Sequence, residues 1–321
     1  MRQNSVTLKK SVNSTRPGKG LFKDIKKNGE LLLLSAPAVI LLFIFNYMPI
    51  YGIILAFKNY RYDLGIMGSQ WVGFDNFEFF FKSQDAWRVT RNTVGLNALF
   101  IFVGLFCAVA FALMMFELRN RMAVKTYQTV FILPSFLSWV VVGYMTYAFL
   151  NPSLGILNKV LEMLGKESIS WYTEPSYWPM ILVIVHIWKV VGTDSIIYYA
   201  GLMGIDKELF EAARIDGANR WQITTRISLP SLAPLITIMT ILAIGRIFRA
   251  DFGMFYNLTM DSGMLYSTTD VIDTYVYRAL KSLGDVGMSS AVGLYQSVVG
   301  FVLVMVTNAI VKRIEPDNAL F

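Results

Sequence analysis

The chain is poor in the residues that carry covalent chemistry. It has one histidine, His186, and one cysteine, Cys107, so neither a multi-histidine metal site nor an internal disulfide can be built from it. Its carboxylates are scattered, with no nucleophile or base at matching spacing, and no Gly-x-x-x-x-Gly-Lys-Ser/Thr segment is present to cradle a phosphate. No catalytic residue and no metal ligand is therefore assigned. The polar residues that stand out are those inside long apolar runs: Lys189 and Asp194 in one, Arg246 and Arg249 in another. Charge is costly in hydrocarbon, so such residues usually face a cavity or a partner. The two arginines fall toward one end of their run, where anchoring at an interface by snorkelling and contact with a ligand are both open.

The runs themselves set the fold class. Of 321 residues 55% are hydrophobic and only 16% charged, too apolar a balance for a soluble domain. Leu31 to Phe57, Val94 to Phe116, Thr129 to Leu150, Trp178 to Met203, Leu232 to Ala250 and Ser289 to Val311 are each long enough to cross a bilayer core. The expectation is an all-α polytopic membrane protein with six transmembrane helices over 30–313, a basic tail over 1–29 and a short tail over 314–321. Pro49 is expected to kink the first span, with Asn46 and Tyr47 helping to satisfy the freed backbone. The formal charge of +7 comes from basic residues beside the spans: the N-terminal tail, Arg119, Arg121 and Lys125 after the second, Lys207, Arg214, Arg220 and Arg226 after the fourth, and Lys312 and Arg313 at the end. With six spans all of these share one side, which places both termini in the cytoplasm and leaves no need for a nucleic-acid partner.

Between the fourth and fifth runs lies a polar-apolar stretch over 205–230. Asp206 reads as an N-cap, Lys207 to Ile215 as a short helix, and Asp216-Gly217 as its stop, glycine accepting left-handed backbone cheaply. A second short helix is predicted from about Asn219 to Ser228. Leu209, Phe210, Ala213 and Ile215 cannot all be hidden by one isolated short helix, so the hairpin offers an apolar face to another protein. A hairpin with no partner is the plainer alternative.

Glu211-Ala212-Ala213, then Asp216-Gly217-Ala218, then Ile227, Leu229, Pro230 and Pro234 resembles the loop that defines the membrane subunits of binding-protein-dependent ABC importers. One position departs from that pattern: Thr224 stands where a large apolar residue is common. Trp71 to Phe77, Arg91-Asn92-Thr93, Leu133-Pro134, Gly155-Ile156-Leu157-Asn158 and Asn308 with Lys312-Arg313 are similar to the sugar-importer branch, so the resemblance runs from Leu31 to Arg313. It looks closest to permeases for oligosaccharides or polysaccharide fragments.

The resemblance implies a type I importer permease fold in a bacterial cell membrane, with the 205–230 hairpin seated in a cytoplasmic ATPase subunit. Glu211, Ala212, Ala213, Asp216, Gly217, Ala218, Leu229 and Pro230 would be its coupling residues. ATP and magnesium would bind that ATPase, two copies of which are expected, and this chain would bind no cofactor and be no enzyme. A second, homologous permease would complete a carbohydrate path as a heterodimer, and an extracytoplasmic solute-binding protein would deliver the sugar to the loops opposite the hairpin, including 251–288. Sugar sites combine hydrogen-bonding groups with aromatic platforms. Asn46, Tyr144, Trp188, Lys189, Asp194 and Tyr198 are the candidates for that path, although intramembrane aromatics more often pack or form belts. An ion-gradient-driven secondary transporter is the alternative, though no self-similarity links the halves of the chain.

Overall fold

The computed structural model describes residues 28–118 and 120–314. The expected C-terminal tail from 315, and the N-terminal tail up to 27, lie outside the described residues. Among the described residues five helices are long and apolar enough to cross a membrane, and the count reaches the expected six when one bent pair of helices is taken as a single span. The chain divides into two compact units between Ile53 and Ile54. The N-terminal one is built on α1 (Gly29–Leu42), which passes into a π turn, Phe43–Tyr47, and a 3-10 run, Met48–Phe57. Pro49 lacks the amide that would bond the carbonyl four residues back, inside the π turn, so the expected kink takes the form of a change in helix type.

In the larger unit α2 (Asp75–Lys82) precedes α3 (Gln84–Phe116), which packs along α7 (Trp178–Met203). Alpha3 starts well ahead of the predicted Val94. Ser83 caps it, accepting from the Ala86 amide, and polar residues of its first turns bond to the 266–270 loop. The predicted third span, Thr129 to Leu150, is two helices: α4 (Arg121–Ile132), which passes into a 3-10 turn at Leu133–Phe136, and α5 (Trp139–Leu150). The two limbs are bent by 96°. Pro134 ends the first limb and Ser138 caps the second, accepting from the Val141 amide.

That break strands carbonyls in an apolar setting, and Lys189 answers them. Its ammonium donates to the carbonyls of Pro134, Ser135 and Leu137 at 3.3, 3.0 and 2.6 Å, and the residue is only 7% exposed. The approach of α7 to α4 is equally tight. A Cβ on Gly192 would fall 2.0 Å from the Phe131 carbonyl oxygen, so no larger residue fits.

The fifth span also departs from expectation. A continuous helix runs from Arg220 to Ile244, comprising α9 (Arg220–Ile223), a π turn (Thr224–Ser228) and α10 (Leu229–Ile244). The second hairpin helix does not stop at Ser228: the π turn and α10 carry it past Pro230 and Pro234, the latter inside α10. At its other end the helix stops before the predicted Ala250, leaving Arg246 and Arg249 in the turns beyond. Alpha13 (Val286–Ile314) is the sixth span.

The loops at the end of the bundle away from the 205–230 hairpin are knitted together by polar residues. Asn92 donates to the carbonyls of Tyr266, Ser267 and Asp270, and the Thr93 hydroxyl accepts from the Ile272 amide at 2.9 Å. The Arg91-Asn92-Thr93 segment thus fixes the 251–285 connection to α3. Asn158, on α6 (Ile156–Met163), donates to the carbonyls of Pro152 and Ile169 and accepts from the Ile169 amide and the Trp171 indole. Asp270 has a side chain with 0% exposure and is paired by Arg88 at 2.8 Å and by Arg278, which also reaches Asp261. Arg278 closes the short helix Ile272–Arg278.

Two substitutions test these ties. Lys189→Met leaves buried carbonyls without a donor, at about 1–3 kcal/mol for each one unsatisfied; a clearly lower melting temperature of the purified protein is expected, and an unchanged one would show the break to be self-sufficient. Asp270→Ala removes the buried carboxylate that joins two guanidinium groups, leaving Arg88 with Asp85 and Arg278 with Asp261, and is expected to cost about 1–3 kcal/mol, read as proteolytic cleavage within 251–285 that the wild type resists.

Candidate functional site: a capped hairpin continuous with a cavity wall

The first short helix of the hairpin, α8 (Lys207–Ile215), has the bounds predicted for it, and the Asp206 side chain caps it by accepting from the Glu208 amide. Its other end explains the Asp-Gly-Ala sequence. Gly217 is left-handed, with φ of +80°, its amide donates to the Arg214 carbonyl, and the Ala218 amide donates to the Ala213 carbonyl. Those two bonds define a Schellman cap, in which Ala213 and Ala218 are the positions that meet. Directly after it, Asn219 and Gln222 form a reciprocal capping box at 2.8 and 2.9 Å. The first short helix is therefore closed at both ends, and the second at its start, by side chains and backbone of the hairpin itself.

One face of the hairpin is anchored and the other is bare. Phe210 is buried, its ring 5.4 Å from that of Phe116 at the end of α3, and Ile223 and Ser228 are buried as well. Arg220 lies 3.8 Å from Glu117, an exposed pair of little energetic weight. Glu211, Ala212, Asp216 and Pro230 are exposed, and Ala213, Ala218 and Leu229 are half-buried. Beside them Ile215 is 87% and Trp221 74% exposed, so the knob presents apolar surface ringed by charge.

The helix that leaves the hairpin then walls a cavity. It has a volume of about 460 Å³ and lies between α3, α7 and α10, with Gly104 and Ala108 on one side, His186, Asp194 and Tyr198 on another, and Met239, Thr240 and Ala243 on the third. This size falls within the usual range for ligand pockets. Of the path candidates only Asp194 and Tyr198 line it. Tyr144 lines a smaller cavity of about 200 Å³ with Gly143, Tyr256 and Asn257. Trp188 is partly exposed on α7 and lines neither, Lys189 is engaged at the helix break, and Asn46 sits in the π turn of the N-terminal unit. Asn97 and Thr240 were not singled out by sequence. Asn97 begins a stripe with Ile101, Leu105 and Ala108 at helical spacing, and that stripe was the available signal.

The exposed hairpin is thus built into the same helix that walls the cavity. The family of binding-protein-dependent transport system inner membrane components matches residues 100–316, and the chain belongs to that family. Among its relatives, Protein LplB of Bacillus subtilis (strain 168) is 34% identical over 98% of this chain and 99% of its own. The polygalacturonan/rhamnogalacturonan transport system permease protein YteP of the same organism is 32% identical over 88% of both chains. A chain in the crystal structure of a bacterial alginate ABC transporter, in complex with alginate pentasaccharide-bound periplasmic protein, superposes with a TM-score of 0.83 at 34% identity, covering 92% of this chain and 98% of that one. The fold is accordingly that of a type I ABC importer permease.

The Schellman cap makes a local prediction. Gly217→Ala puts a Cβ on left-handed backbone at a cost of about 1–2 kcal/mol, with nothing within 4 Å to clash. Amide exchange is expected to quicken in 213–219 and to stay unchanged in α10; equal quickening in both would deny that the cap acts locally.

Proposed function

We propose that this chain is the permease subunit of an ATP-driven importer of oligosaccharides. The observation that carries the reading is the continuity of the exposed hairpin with the helix walling the cavity, because a push on the knob is transmitted to the passage without crossing a flexible joint. A cytoplasmic ATPase subunit would grip the bare face around Glu211, Ile215 and Trp221, and ATP and magnesium would be bound there. A second permease, similar but distinct, would close the open side of the passage. Carbohydrate cargo is supported by the names of the relatives, and a delivering binding protein by the pentasaccharide-loaded periplasmic protein in the alginate complex. The setting is a bacterial cell membrane with both termini cytoplasmic. Nothing in the family or the site favours an ion-gradient-driven secondary transporter.

The cycle follows from the geometry. Closure of the two ATPases on ATP would draw the hairpins together and tilt α10 against α3 and α7, changing which end of the passage is open. Chemistry on the cargo is not required by this cycle.

Glu211→Ala and Gly217→Pro are expected to leave an inserted protein that co-purifies with its partner permease. Sugar uptake should fall at least tenfold while ATP hydrolysis persists without coupling to it. Full uptake by both variants would remove the hairpin from the mechanism.

A further inference from the structure

The smaller cavity, of about 200 Å³, lies between α5 and α11 (Phe252–Leu258), a helix of the 251–285 connection. Its lining is Val140, Gly143 and Tyr144 on one side and Tyr256, Asn257 and Met260 on the other. The two helices meet at backbone contact. A Cβ on Gly143 would fall 2.7 Å from the Asn257 carbonyl oxygen, so no larger residue fits there.

The aromatic surface of this cavity is braced by rings that do not line it. Tyr256 stacks on Phe252 with centroids 5.1 Å apart and meets Tyr277, on α12 (Ile272–Arg278), edge-on at 5.3 Å, while Phe252 and Tyr277 are themselves 4.6 Å apart. The facing wall carries Tyr144, which is 66% exposed and has no ring or hydrogen-bond partner among the described residues. Met260 joins the lining from left-handed backbone, with φ of +54°, and Asp261 beside it has φ of +48°. Two such residues in succession are uncommon without glycine. Here the Asp261 carboxylate is fastened by Arg278 at 2.7 Å and by the Tyr266 hydroxyl at 3.1 Å, which holds the strained turn in place.

Three polar groups of the lining are left over. The Asn257 Nδ2 donates to the Gly253 carbonyl at 2.7 Å, whereas no donor reaches its Oδ1, and neither the Tyr144 nor the Tyr256 hydroxyl makes a hydrogen bond among the described residues. Hydrocarbon against this wall would leave all three unsatisfied, which a lipid-facing surface avoids. Aromatic faces beside free hydrogen-bonding groups suit a sugar, whose ring has apolar C–H faces and a polar rim. We infer that the cavity is a saccharide subsite for a single ring: the C–H face rests against Tyr144 and Tyr256, and hydroxyls bond to Asn257 and the phenols. Its volume, below the usual range for whole ligands, admits a ring and not an oligomer. The subsite is distinct from the 460 Å³ cavity. Phe255, next to Tyr256 on α11, is buried with its ring 6.2 Å from Phe100, a residue of that larger lining, so α11 stands between the two. This rests on the oligosaccharide reading above and adds to it a place where cargo is held beside the passage.

The test places a photoreactive diazirine side chain at Val140, which is 50% exposed in the lining, within the complete transporter in lipid nanodiscs. An equal mixture of starch-, pectin- and xylan-derived oligosaccharides is added, and adducts at position 140 are read by mass spectrometry. Saccharide adducts are expected, about fivefold fewer with Tyr144→Ala or Asn257→Ala, as for the loss of one aromatic or polar contact. Tyr144→Phe, which keeps the ring face, should retain most of the wild-type yield. The same probe at Met239, in the larger cavity, should be indifferent to Tyr144→Ala. Adducts as frequent in Tyr144→Ala as in the wild type, lost equally in Tyr144→Phe, or lost equally at Met239 would overturn the assignment. Phospholipid adducts in place of saccharide would make the face a lipid contact and overturn it too. No saccharide adduct at position 140, in a transporter whose cells import one of these oligosaccharides, would remove the subsite and leave the importer reading standing; no adduct and no import would remove both.

Discussion

Backbone groups released at a helix break have no water to turn to inside a bilayer, and this chain meets that constraint with side chains distant in sequence. The 96° break of the third span survives because the Lys189 ammonium supplies donors to three carbonyls from the middle of α7. Gly192, one turn further on, lets the two backbones approach closely enough for that reach. A lysine in the centre of an apolar helix thus becomes part of the scaffold. The same solution recurs at the membrane's edge, where Asn92 and Asn158 each satisfy several backbone groups of a loop, and Asp270 gathers two arginines from different elements.

With the static parts so fastened, the fifth span is the element left to act. Its π turn at Thr224–Ser228 keeps the helix unbroken past Pro230, so the hairpin and the cavity wall are one object. The capping at Asp206, Gly217 and Asn219 closes the hairpin upon itself, leaving its apolar tip bare. Phe210 against Phe116 ties the knob to α3 as well, which places two of the three walls of the cavity under its influence.

Much of this was legible in the sequence, and the reasons are local. Asp206, Gly217 and the Lys207–Ile215 helix follow from capping rules that depend on a few neighbouring residues, and the apolar runs announce themselves by length. The bounds failed where tertiary partners decide. Alpha3 extends to Gln84 because loop contacts hold polar turns that hydropathy assigns to water, and the third span bends because Lys189, more than fifty residues away, makes the bend affordable. The second hairpin helix reads as ending near Ser228, yet a π turn carries it on into the fifth span. Within the site, Asp194 and Tyr198 could be placed on a path by type alone. The pairing of Asn97 with the turn bearing Arg246 and Arg249 could not, because it joins residues 150 apart whose only shared feature is depth.

The account turns on the fifth span moving as a rigid lever, and spin-label distances test that most directly. In the assembled transporter, with Cys107 replaced, one label pair would join Arg220→Cys to Leu242→Cys along the helix, and another Leu242→Cys to Trp188→Cys across to α7. On trapping with ATP, the distance along the helix should keep its resting distribution while the distance across to α7 shifts. A shift along the helix as large as the one across would contradict the account, since the push on the hairpin would then be absorbed in the π turn before reaching the cavity.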